Sequence, residues 1–534
     1  MLPEDKYFQT LTEDELWQRY CGFLDLSVDE FMDIQKELLM DEIERVADSM
    51  LGKKIMGNRT PGSVEEFRKI VPLTTYEDYE PYLSEKQEDA LAEKPHMWCH
   101  SSGRGGYFKW IPHSSEFMER LIRNFIGCFI LASNAQKGKV SLSPGFHVLS
   151  IIPPRPYASG WLLYSLGQRI SCKLIPSTAE GESLEFEERV QRGMQITLRD
   201  GADFAAATSS ILVKMGELFT KEARGVKLSP YMLHPKIILR LLRASLRAKI
   251  EKRTLLPKDL WPLKGIISSG MDSNIYADEI AYYWGHQPYQ FYSSSDAGFI
   301  ATQAWNQKMM TFIPDSVFLE FIPKTEQAKY KADNNYQPRT VLLNEVEEGQ
   351  SYEVIITQLY GMPLLRYRIK DLIKIVALRD DETGINLPQV AFQRRIGETI
   401  NLASLAELDE KAIWQAIANT GIKYADWSAC KEYDSGKAFI RLYLELKEEG
   451  EATEVADRID EQLKVVDTDY RDIDSYLELQ PIRVTILSPG TFESYMNKKR
   501  KDGCDLAHLK PRHMNPPQPD VEQLIQLSEV NSTK

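Results

Sequence analysis

The sequence predicts an α/β protein in which a large N-terminal domain precedes a smaller α+β domain. The 534 residues are too many for one hydrophobic core. Strand-like and helical segments alternate through the first half, as in parallel α/β sheets. The pattern then changes to closely spaced strands, and later to mixed helices and strands. The predicted units are the large domain 1–394 with a small β subdomain at about 316–394, the small domain 395–512, and a loosely held tail at 513–534.

The composition excludes several classes of function. Hydrophobic residues make up 43% and charged residues 27% of the chain, so a sizeable core is available. The net charge of −13 argues against bulk binding to nucleic acid or an anionic membrane as the main task. The 6 cysteines are scattered without a CxxC pair, which favours reduced thiols in the cytoplasm over a zinc site or disulfides. The polar start predicts no secretory signal, no apolar run could span a bilayer, and the oligomeric state stays open.

The beginning of the chain is predicted to be helical. Residues 10–50 place apolar side chains at helical spacing, and Ser27 followed by Glu30 has the pattern of a capping box. Residues 71–83 predict a short extended piece that turns into a capped helix. We interpret this piece as a packing element.

A glycine-rich segment at 101–109 follows a strand-like run and precedes the helix predicted at 116–133. Its glycines and serines offer N–H groups and hydroxyls that can surround an anion, and Lys109 can supply compensating charge. The spacing matches neither the Walker loop nor the dinucleotide fingerprint. Taken alone, the segment predicts either an anion-binding loop or a plain surface turn. His100 and His113 flank it, in packing roles or in contact with a substrate.

Strands and helices alternate after this segment. The strand-like runs are 146–153, 170–175, 204–208, 263–270 and 290–292, with helical segments between most of them. Two of these strands end in small polar turns, Ser269-Gly270 and the turn at 293–296. Because ligands bind at the carboxyl ends of strands in such sheets, both turns are candidate ligand contacts.

Residues 230–256 are basic with a helical pattern. The cations are Lys236, Arg240, Arg243, Arg247, Lys249, Lys252 and Arg253, and they alternate with Leu and Ile. A solvated amphipathic helix is the favoured interpretation, and a nucleic-acid or membrane face is the alternative.

The last third of the chain predicts a β-rich part and then a mixed part. The β-rich part, read as hairpins or a small barrel, has strand-like runs at 317–323, 352–357, 364–369 and 372–376. The mixed part has a helix near 405–418, a strand at 437–446, a helix at 452–466, a strand at 482–487 and a helix at 491–501.

Several stretches, in this order, resemble a known superfamily. They are 101–109, the Tyr-Ser-Ser-Ser-Asp run at 292–296, the Arg-Tyr-Arg-Ile-Lys-Asp run at 366–371, and 393–407. Together they resemble the acyl-adenylate-forming superfamily of acyl-CoA synthetases, luciferases and peptide-synthetase adenylation domains. Further stretches resemble one branch, the Gretchen Hagen (auxin-responsive promoter) family of acyl-acid amido synthetases. Those stretches are 71–78, 318–323, 352–357, 489–492 and 509–512.

The resemblance implies that residues spread along the chain bind ATP. They are Ser101, Ser102, Gly103, Arg104, Gly105, Gly106, Lys109, Ser269, Gly270, Met271, Tyr292, Ser293, Ser294, Ser295, Asp371 and Arg395. In this set the glycine loop would cradle the phosphates, Tyr292 would stack on adenine, and Asp371 would hold the ribose hydroxyls. Arg395 would reach ribose or phosphate, with Arg394 as its rival.

The resemblance also implies catalytic roles for Lys510, Asp296 and Arg395. Lys510 would contact the α-phosphate and the carboxylate, and Asp296 would bind Mg²⁺ where the family usually has Glu. Attack of a carboxylate on the α-phosphate brings two anions together, so positive charge must offset their repulsion. Closing the small domain would assemble this site, and turning it would expose the acyl-adenylate to a second substrate.

The implied activity is ATP-dependent, AMP-forming ligation, which joins a carboxylic acid to an amine, in the first place an amino acid. Coenzyme A is the alternative acceptor. Arg104 and Gly105 replace the usual Thr and Ser of the family's loop, and Asp296 is shorter than Glu. A nucleotide-binding relative without catalysis is therefore a third alternative. Arg155 or Tyr157, in the acyl-pocket region, would contact an acid that the sequence does not identify.

Each of these residues also has a plainer interpretation. Asp371 lies among basic residues and fits an ion-paired strand position equally well. Tyr292 fits a core aromatic, Lys510 an exposed surface lysine, and Arg394 with Arg395 a salt-bridged linker.

Overall fold

The computed structural model describes residues 1–57, 59–101, 109–184, 186–223, 234–269, 276–326, 329, 336–395, 399–402, 406–434, 437–477, 481–501 and 513–532. The chain divides into two compact units, an N-terminal unit of 1–101 and 109–396 and a C-terminal unit that contains 397–534. Among the described residues, no helix has both the length and the apolar character needed to cross a bilayer.

The N-terminal unit contains both helices and strands. Its helices are α1 (Pro3–Thr10), α2 (Glu13–Cys21), α3 (Val28–Val46), α4 (Met50–Met56), α5 (Val64–Ile70), α6 (Ser115–Ala132), α7 (Ala158–Arg169), α8 (Thr178–Ser183), α9 (Phe186–Asp200), α10 (Ser209–Ala223), α11 (Pro235–Ile250), α12 (Pro257–Leu260) and α13 (Ala277–Trp284). Its strands are β1 (Met97–His100), β2 (Trp110–His113), β3 (Phe146–Ile151), β4 (Cys172–Ile175), β5 (Phe204–Thr208), β6 (Gly265–Ser269), β7 (Pro288–Ser294), β8 (Gly298–Gln303), β9 (Met310–Phe312), β10 (Val317–Pro323), β11 (Ser351–Gln358), β12 (Tyr367–Ala377) and β13 (Gln389–Arg395).

One sheet organises the N-terminal unit. Among the described residues it has 11 strands, in the order β10-β11-β12-β13-β9-β8-β7-β6-β5-β3-β4. The part from β4 to β7 is parallel, and the part from β7 to β10 is antiparallel. The strand β7 belongs to both parts, because it is parallel to β6 and antiparallel to β8. The β-rich segment therefore forms the expected hairpins, but these extend the parallel sheet and do not close into a barrel.

The helix α6 packs in the core of this unit. The ring of Phe129 lies 5.2 Å from that of Phe146 and 4.9 Å from that of Phe204, which joins the helix to β3 and β5. A Cβ at Gly127 would lie 2.5 Å from the carbonyl oxygen of Tyr20, so only glycine allows α2 to approach this closely. The second half of α6, residues 124–132, is buried on all sides and is almost entirely apolar, as expected for a helix inside a core.

The segment that precedes the glycine loop packs as expected. The Thr74 N–H donates to the carbonyl of Arg366 at 3.0 Å, and its carbonyl accepts from the N–H of Arg368 at 2.9 Å. The Thr74 hydroxyl donates to the carbonyl of Leu365 at 2.7 Å. These bonds add the segment to the start of β12 and thereby help to position that strand.

A buried ion pair lies in the same part of the unit. The Arg366 guanidinium donates to the two Glu320 carboxylate oxygens at 3.0 and 2.8 Å, and to the carbonyls of Arg68 and Val71 at 2.6 Å each. Arg366 is 4% exposed and Glu320 is 0% exposed. Such a pair holds its partners together because either charge alone would be costly in the interior. It links β10, the beginning of β12 and the end of α5.

The C-terminal unit combines two small sheets with flanking helices. Its strands are β14 (Thr399–Leu402), β15 (Ala406–Asp409), β16 (Tyr424–Asp434), β17 (Lys437–Leu446) and β18 (Ile482–Leu487). Its helices are α14 (Glu410–Asn419), α15 (Ala452–Val466), α16 (Thr468–Leu477), α17 (Thr491–Lys501) and α18 (Gln518–Ser532). β16 and β17 are antiparallel, and β18 runs parallel to β17.

The expectation of a loosely held tail at 513–534 is wrong for its described part. Met514 pairs in parallel with Ala429 of β16, and the chain then forms α18. Val521 and Leu524 of this helix are buried. They pack in an apolar cluster with Tyr443, Leu487, Phe492 and Tyr495. The prolines before the helix suggested a tail, but proline is also common at the first helical turn.

His513 is the first residue of the described segment 513–532, and its side chain fixes the start of that segment. Its Nδ1 lies 2.5 Å from a Glu410 carboxylate oxygen, and its Nε2 lies 2.7 Å from a carboxylate oxygen of Asp426. The imidazole also stacks on Trp427, with ring centroids 4.5 Å apart. Burial lowers the pKa of His513, but the hydrogen bonds and charges of Asp426 and Glu410 outweigh this effect and raise the pKa above its usual value.

The raised pKa of His513 predicts that the C-terminal unit loses stability as the pH rises. The imidazolium contributes fully below the unfolded pKa of about 6.5, and its contribution is lost as the pH passes through the higher folded pKa. We expect His513→Gln to remove this dependence and to cost on the order of 1–2 kcal/mol at pH 6, because each bond to a charged group is lost or weakened. Urea unfolding of the wild type and of His513→Gln, at pH values below and above the unfolded pKa of about 6.5, measures the free energy of unfolding. If the free energy of unfolding changed with pH in the same way in both proteins, His513 would not be the source of the pH dependence.

Candidate active site

The carboxyl end of β7 brings predicted site residues together. Ser293 and Ser294 are its last residues, and Ser295 and Asp296 form the turn that leads into β8. The neighbouring parallel strand β6 ends at Ser269 on the same edge of the sheet. The Oγ of Ser294 is buried and has no hydrogen-bond partner in the described part of the chain. A buried polar atom of this kind is typical of a position that meets a ligand or water.

Tyr292 and Asp371 meet beside this turn. The Tyr292 hydroxyl donates to a carboxylate oxygen of Asp371 at 2.8 Å, and both residues are buried. The Tyr292 ring also lies 5.5 Å from the ring of Phe392. Asp371 is paired with Arg395 in the register of β12 and β13, although the side chain of Arg395 lies outside the described part. The two motifs at 292–296 and 366–371 therefore meet in the folded N-terminal unit.

Two buried side chains hold the backbone of the turn. The Nε2–H of His113 donates to the carbonyl of Ser295 at 3.0 Å, and the amide of Gln358 donates to the carbonyl of Asp296 at 2.8 Å. His113 also stacks on Phe117 at 4.4 Å. Burial lowers the pKa of His113 to about 4, so its imidazole is neutral near pH 7. Two successive carbonyls are thus fixed by donors from different elements.

Asp296 is 5% exposed and lies near two other buried groups. Burial raises the pKa of the Tyr76 hydroxyl and of the Cys99 thiol, and the charge of Asp296 adds to both increases. No set of three or more His, Cys, Asp or Glu residues suited to a metal is present among the described residues.

The base of the glycine loop is fixed, and Lys109 points to β12. The Ser101 N–H donates to the carbonyl of Lys109 at 3.1 Å, next to the pairing of β1 with β2. The Lys109 ammonium donates to the Tyr367 hydroxyl at 3.0 Å and lies 5.2 Å from the centre of the Tyr76 ring. Lys109 thus approaches the strand that carries Asp371.

Several predicted site residues lie outside the described residues. They are Ser102, Gly103, Arg104, Gly105, Gly106, Gly270, Met271 and Lys510. Only the backbone positions are described for Ser269, at the end of β6, and for Arg394 and Arg395, at the end of β13. The roles of all these residues stay predictions.

Three family models match the chain in the order of its sequence. The GH3 family N-terminal domain matches residues 22–147, the GH3 family central domain 310–395, and the GH3 family C-terminal domain 409–518. Together they cover more than half of the chain. The chain belongs to the GH3 family.

Curated GH3 relatives are distant in sequence. The indole-3-acetic acid-amido synthetase GH3.5 of Arabidopsis thaliana is 22% identical over 552 aligned positions, which cover 89% of this chain and 87% of that protein. The jasmonoyl--L-amino acid synthetase GH3.5 of Oryza sativa subsp. japonica is 26% identical over 298 positions. That match covers 50% of this chain and 48% of the relative, so this chain spans about half the length of that relative.

Solved structures of related proteins share this fold. AtGH3.15 acyl acid amido synthetase in complex with 2,4-DB has a TM-score of 0.54 at 19% identity, with 97% of each chain covered. A 2-hydroxyisobutyryl-CoA ligase in complex with 2-HIB-AMP and CoA has a TM-score of 0.59 at 13% identity, covering 96% of this chain and 94% of the ligase. The two-domain α/β architecture expected for a GH3 protein is therefore confirmed.

The structure adds site residues that the sequence did not suggest for this GH3 chain. Gln358 and Tyr367 contact the site through bonds to Asp296 and Lys109. Their strands were predicted, but their partners lie 62 and 258 positions away in the chain, where no local pattern could indicate them.

The two residues proposed for acid contact have different surroundings. Arg155 forms a two-bond pair with Glu182 at 2.5 and 2.9 Å, and its guanidinium lies 4.0 Å from the centre of the Tyr164 ring. Tyr157 packs its ring 4.4 Å from that of His100, beside the start of the glycine loop. Of the two, Tyr157 is the one placed next to a predicted site residue, because His100 precedes Ser101.

Proposed function

We propose that this GH3 chain is an ATP-dependent, AMP-forming ligase that conjugates a carboxylic acid to an amino acid. The hydrogen bond between Tyr292 and Asp371 is the observation that carries the proposal. It joins two motifs that are 79 positions apart, and it places a carboxylate beside an aromatic ring at the carboxyl edge of the sheet. This is the combination needed to hold a ribose and an adenine side by side. The names of the curated relatives support an amide product, and that of the Oryza sativa relative, a jasmonoyl--L-amino acid synthetase, supports an amino acid as the acceptor.

The reaction has two steps. A carboxylate oxygen attacks the α-phosphorus of ATP, the bond to the β-phosphate oxygen breaks, and pyrophosphate leaves with that electron pair. The amine then attacks the acyl carbon, loses a proton, and releases AMP with the electron pair of the acyl–oxygen bond. Neither step requires a protein nucleophile, so the protein must position the reactants and stabilise charge.

The fixed turn after β7 suits the first step. Its carbonyls are already held by His113 and Gln358, so the turn needs little reorganisation when a phosphate arrives. The Ser294 hydroxyl, which lacks a partner among the described residues, can donate to a phosphate oxygen. Mg²⁺, bound by the ATP phosphates with Asp296 as one ligand, would neutralise part of their charge. Lys510 would supply the cation opposite the attacking carboxylate.

Several finer points belong to the same proposal. We place the functional boundary at 394–395 and expect the C-terminal unit to move during the cycle. Cys21, Cys99 and Cys128 are buried free thiols, which supports a reducing compartment such as the cytoplasm.

One experiment distinguishes an amino acid from coenzyme A as the acceptor, and distinguishes either enzyme from a nucleotide-binding protein without catalysis. A panel of carboxylic acids is screened for acid-dependent exchange of labelled pyrophosphate into ATP, and active acids are then incubated with amino acids or with coenzyme A. We expect exchange and an amide product. If the product were a thioester and not an amide, the acceptor would be coenzyme A and not an amino acid. Absence of exchange with every acid, while ATP still binds, would leave a nucleotide-binding protein without catalysis.

The carboxylate of Asp371 is expected to contribute strongly to ATP use. Asp371→Asn removes the charge that accepts the ribose hydroxyls, and one hydrogen bond to a charged group contributes about 1.5–3 kcal/mol, so the exchange rate at limiting ATP should fall about 10- to 100-fold. The matched control is Asp381→Asn in the same unit, where the carboxylate is 80% exposed. Equal exchange rates in both variants would refute the ribose role.

A further inference from the structure

The helix α11 turns large aliphatic side chains away from the protein. The exposed fractions are 41% for Ile238, 49% for Leu239, 63% for Leu242, 62% for Leu246 and 73% for Ile250. These positions recur every three or four residues and therefore form one stripe along the helix, called here the aliphatic stripe. A solvated amphipathic helix, the interpretation favoured from the sequence, would bury such a stripe. The structure exposes it.

The opposite face of α11 fixes this orientation. Ile237, Ala244 and Ala248 are buried against the N-terminal unit. Arg240 donates to the carbonyls of Thr197 and of the next residue, at 2.7 and 3.1 Å, near the end of α9. A rotation of α11 that buried the stripe would break these bonds. The outward stripe is thus set by defined contacts.

The charges on α11 have one sign. The helix contains five Lys or Arg residues and no Asp or Glu, in a chain whose net charge is −13. Arg247 lies 3.2 Å from a Glu251 carboxylate oxygen. Lys236, Arg243 and Lys249 form no ion pair with any described residue and are exposed. Because 3.6 residues make one turn, Lys249 falls within the aliphatic stripe and Arg243 and Lys236 lie along one of its borders.

We propose that α11 docks on an anionic lipid surface. The aliphatic stripe would enter the boundary between headgroups and acyl chains, and Lys236, Arg243 and Lys249 would meet lipid phosphates. Helices that lie in a membrane interface combine these two features. The net negative charge of the chain does not prevent this, because charges more than about 8 Å away are largely screened at physiological salt.

Two other occupants fit the surface less well. Nucleic acid would use the cations but would leave five aliphatic side chains in water. A second copy that packed its own α11 on the stripe in a two-fold arrangement would bring Arg243 and Lys249 close to the same cations of its partner. An anionic bilayer is complementary to both the apolar and the charged features.

The test is sedimentation of the full chain with vesicles. Wild type should bind vesicles of phosphatidylcholine mixed with phosphatidylglycerol, and should bind pure phosphatidylcholine at least about tenfold more weakly. Leu242→Glu combined with Leu246→Glu should reduce binding about tenfold or more, since both side chains are already exposed and the fold is spared. Arg243→Gln with Lys249→Gln should give a similar loss that high salt reproduces in wild type.

A matched control and two contrary results complete the experiment. Leu378→Glu changes a 45% exposed leucine elsewhere on the same unit and should leave vesicle binding unchanged. Equal binding by wild type and the double glutamate variant would overturn the proposal. Absence of vesicle binding by wild type, with a dimer in light scattering that the double variant dissociates, would also overturn it and would assign the stripe to a second copy.

Discussion

Replacing Arg366 with methionine is expected to destabilise the N-terminal unit by about 3 kcal/mol, the lower end of the cost of breaking a buried ion pair. The substitution leaves the buried Glu320 carboxylate with only the more distant Arg68 guanidinium, at 3.7 Å, and the Thr340 hydroxyl, at 2.6 Å. The carbonyls of Arg68 and Val71 would lose donors at the same time. Urea unfolding, followed by tryptophan fluorescence, should show the loss as a lower midpoint. The site would suffer too, since Arg366 immediately precedes the strand that carries Asp371.

A double variant and a surface variant test the cause. Arg366→Met combined with Glu320→Leu removes both charges and should recover part of the lost stability. Lys308→Met breaks an ion pair whose partner is Glu382 and whose side chains are more than half exposed, so it should cost less than about 1 kcal/mol. If the single Arg366 variant behaved like the Lys308 variant, the buried pair would not have the stabilising role described.

Lys510→Ala is expected to slow adenylation about 100- to 1,000-fold, which is the usual cost of removing one group that stabilises charge in a transition state. This expectation depends on the proposed function. Binding of ATP and the stability of the chain should change little, because the lysine would act on the reacting phosphate and not on the fold. Acid-dependent pyrophosphate exchange and ATP binding by calorimetry measure the two effects separately.

Lys498→Ala is the matched control for this variant. Lys498 is an exposed lysine of α17 in the same unit, and we expect its replacement to leave the exchange rate unchanged. A normal exchange rate in Lys510→Ala would remove that lysine from the mechanism. It would not affect the assignment of Tyr292 and Asp371, which depends on the N-terminal unit alone.

Much of the fold could be predicted where a local pattern is strong. The strands Phe204–Thr208, Lys437–Leu446 and Ile482–Leu487 and the helix Ala452–Val466 have the expected bounds. The first strand is a short apolar run, the other two are apolar segments interrupted by single polar or charged residues, and the helix has a clear helical period. Local patterns do not predict how strands pair when the paired strands are far apart in the sequence. The pairing of β13 with β9 joins Gln389 to Thr311, and this contact makes one sheet of what the sequence suggested as a separate subdomain.

The candidate site shows the same division. The resemblance predicted that Tyr292 and Asp371 share a site, and the structure places them 2.8 Å apart in a hydrogen bond, although their roles stay predictions. His113 ends β2 and stacks on Phe117 in the first turn of α6, in agreement with the packing role that was one of its two interpretations. The bonds of Gln358 and Lys109 could not be predicted, since each depends on how strands far apart in the chain are aligned. The exposure of the aliphatic stripe of α11 could not be predicted either, because the helical period of a sequence does not tell which face of the helix packs against the core.

The anchoring of His513 and Met514 limits how far Lys510 can travel. Three peptide units separate Lys510 from His513, and a fully extended chain of that length spans at most about 11 Å. His513 is clamped by Glu410 and Asp426, and Met514 is paired with β16. The main chain at Lys510 therefore stays within about 11 Å of His513 and moves with the C-terminal unit. In the proposed mechanism the encounter of Lys510 with a substrate would depend on movement of the whole unit, and the rate of that movement would then limit turnover.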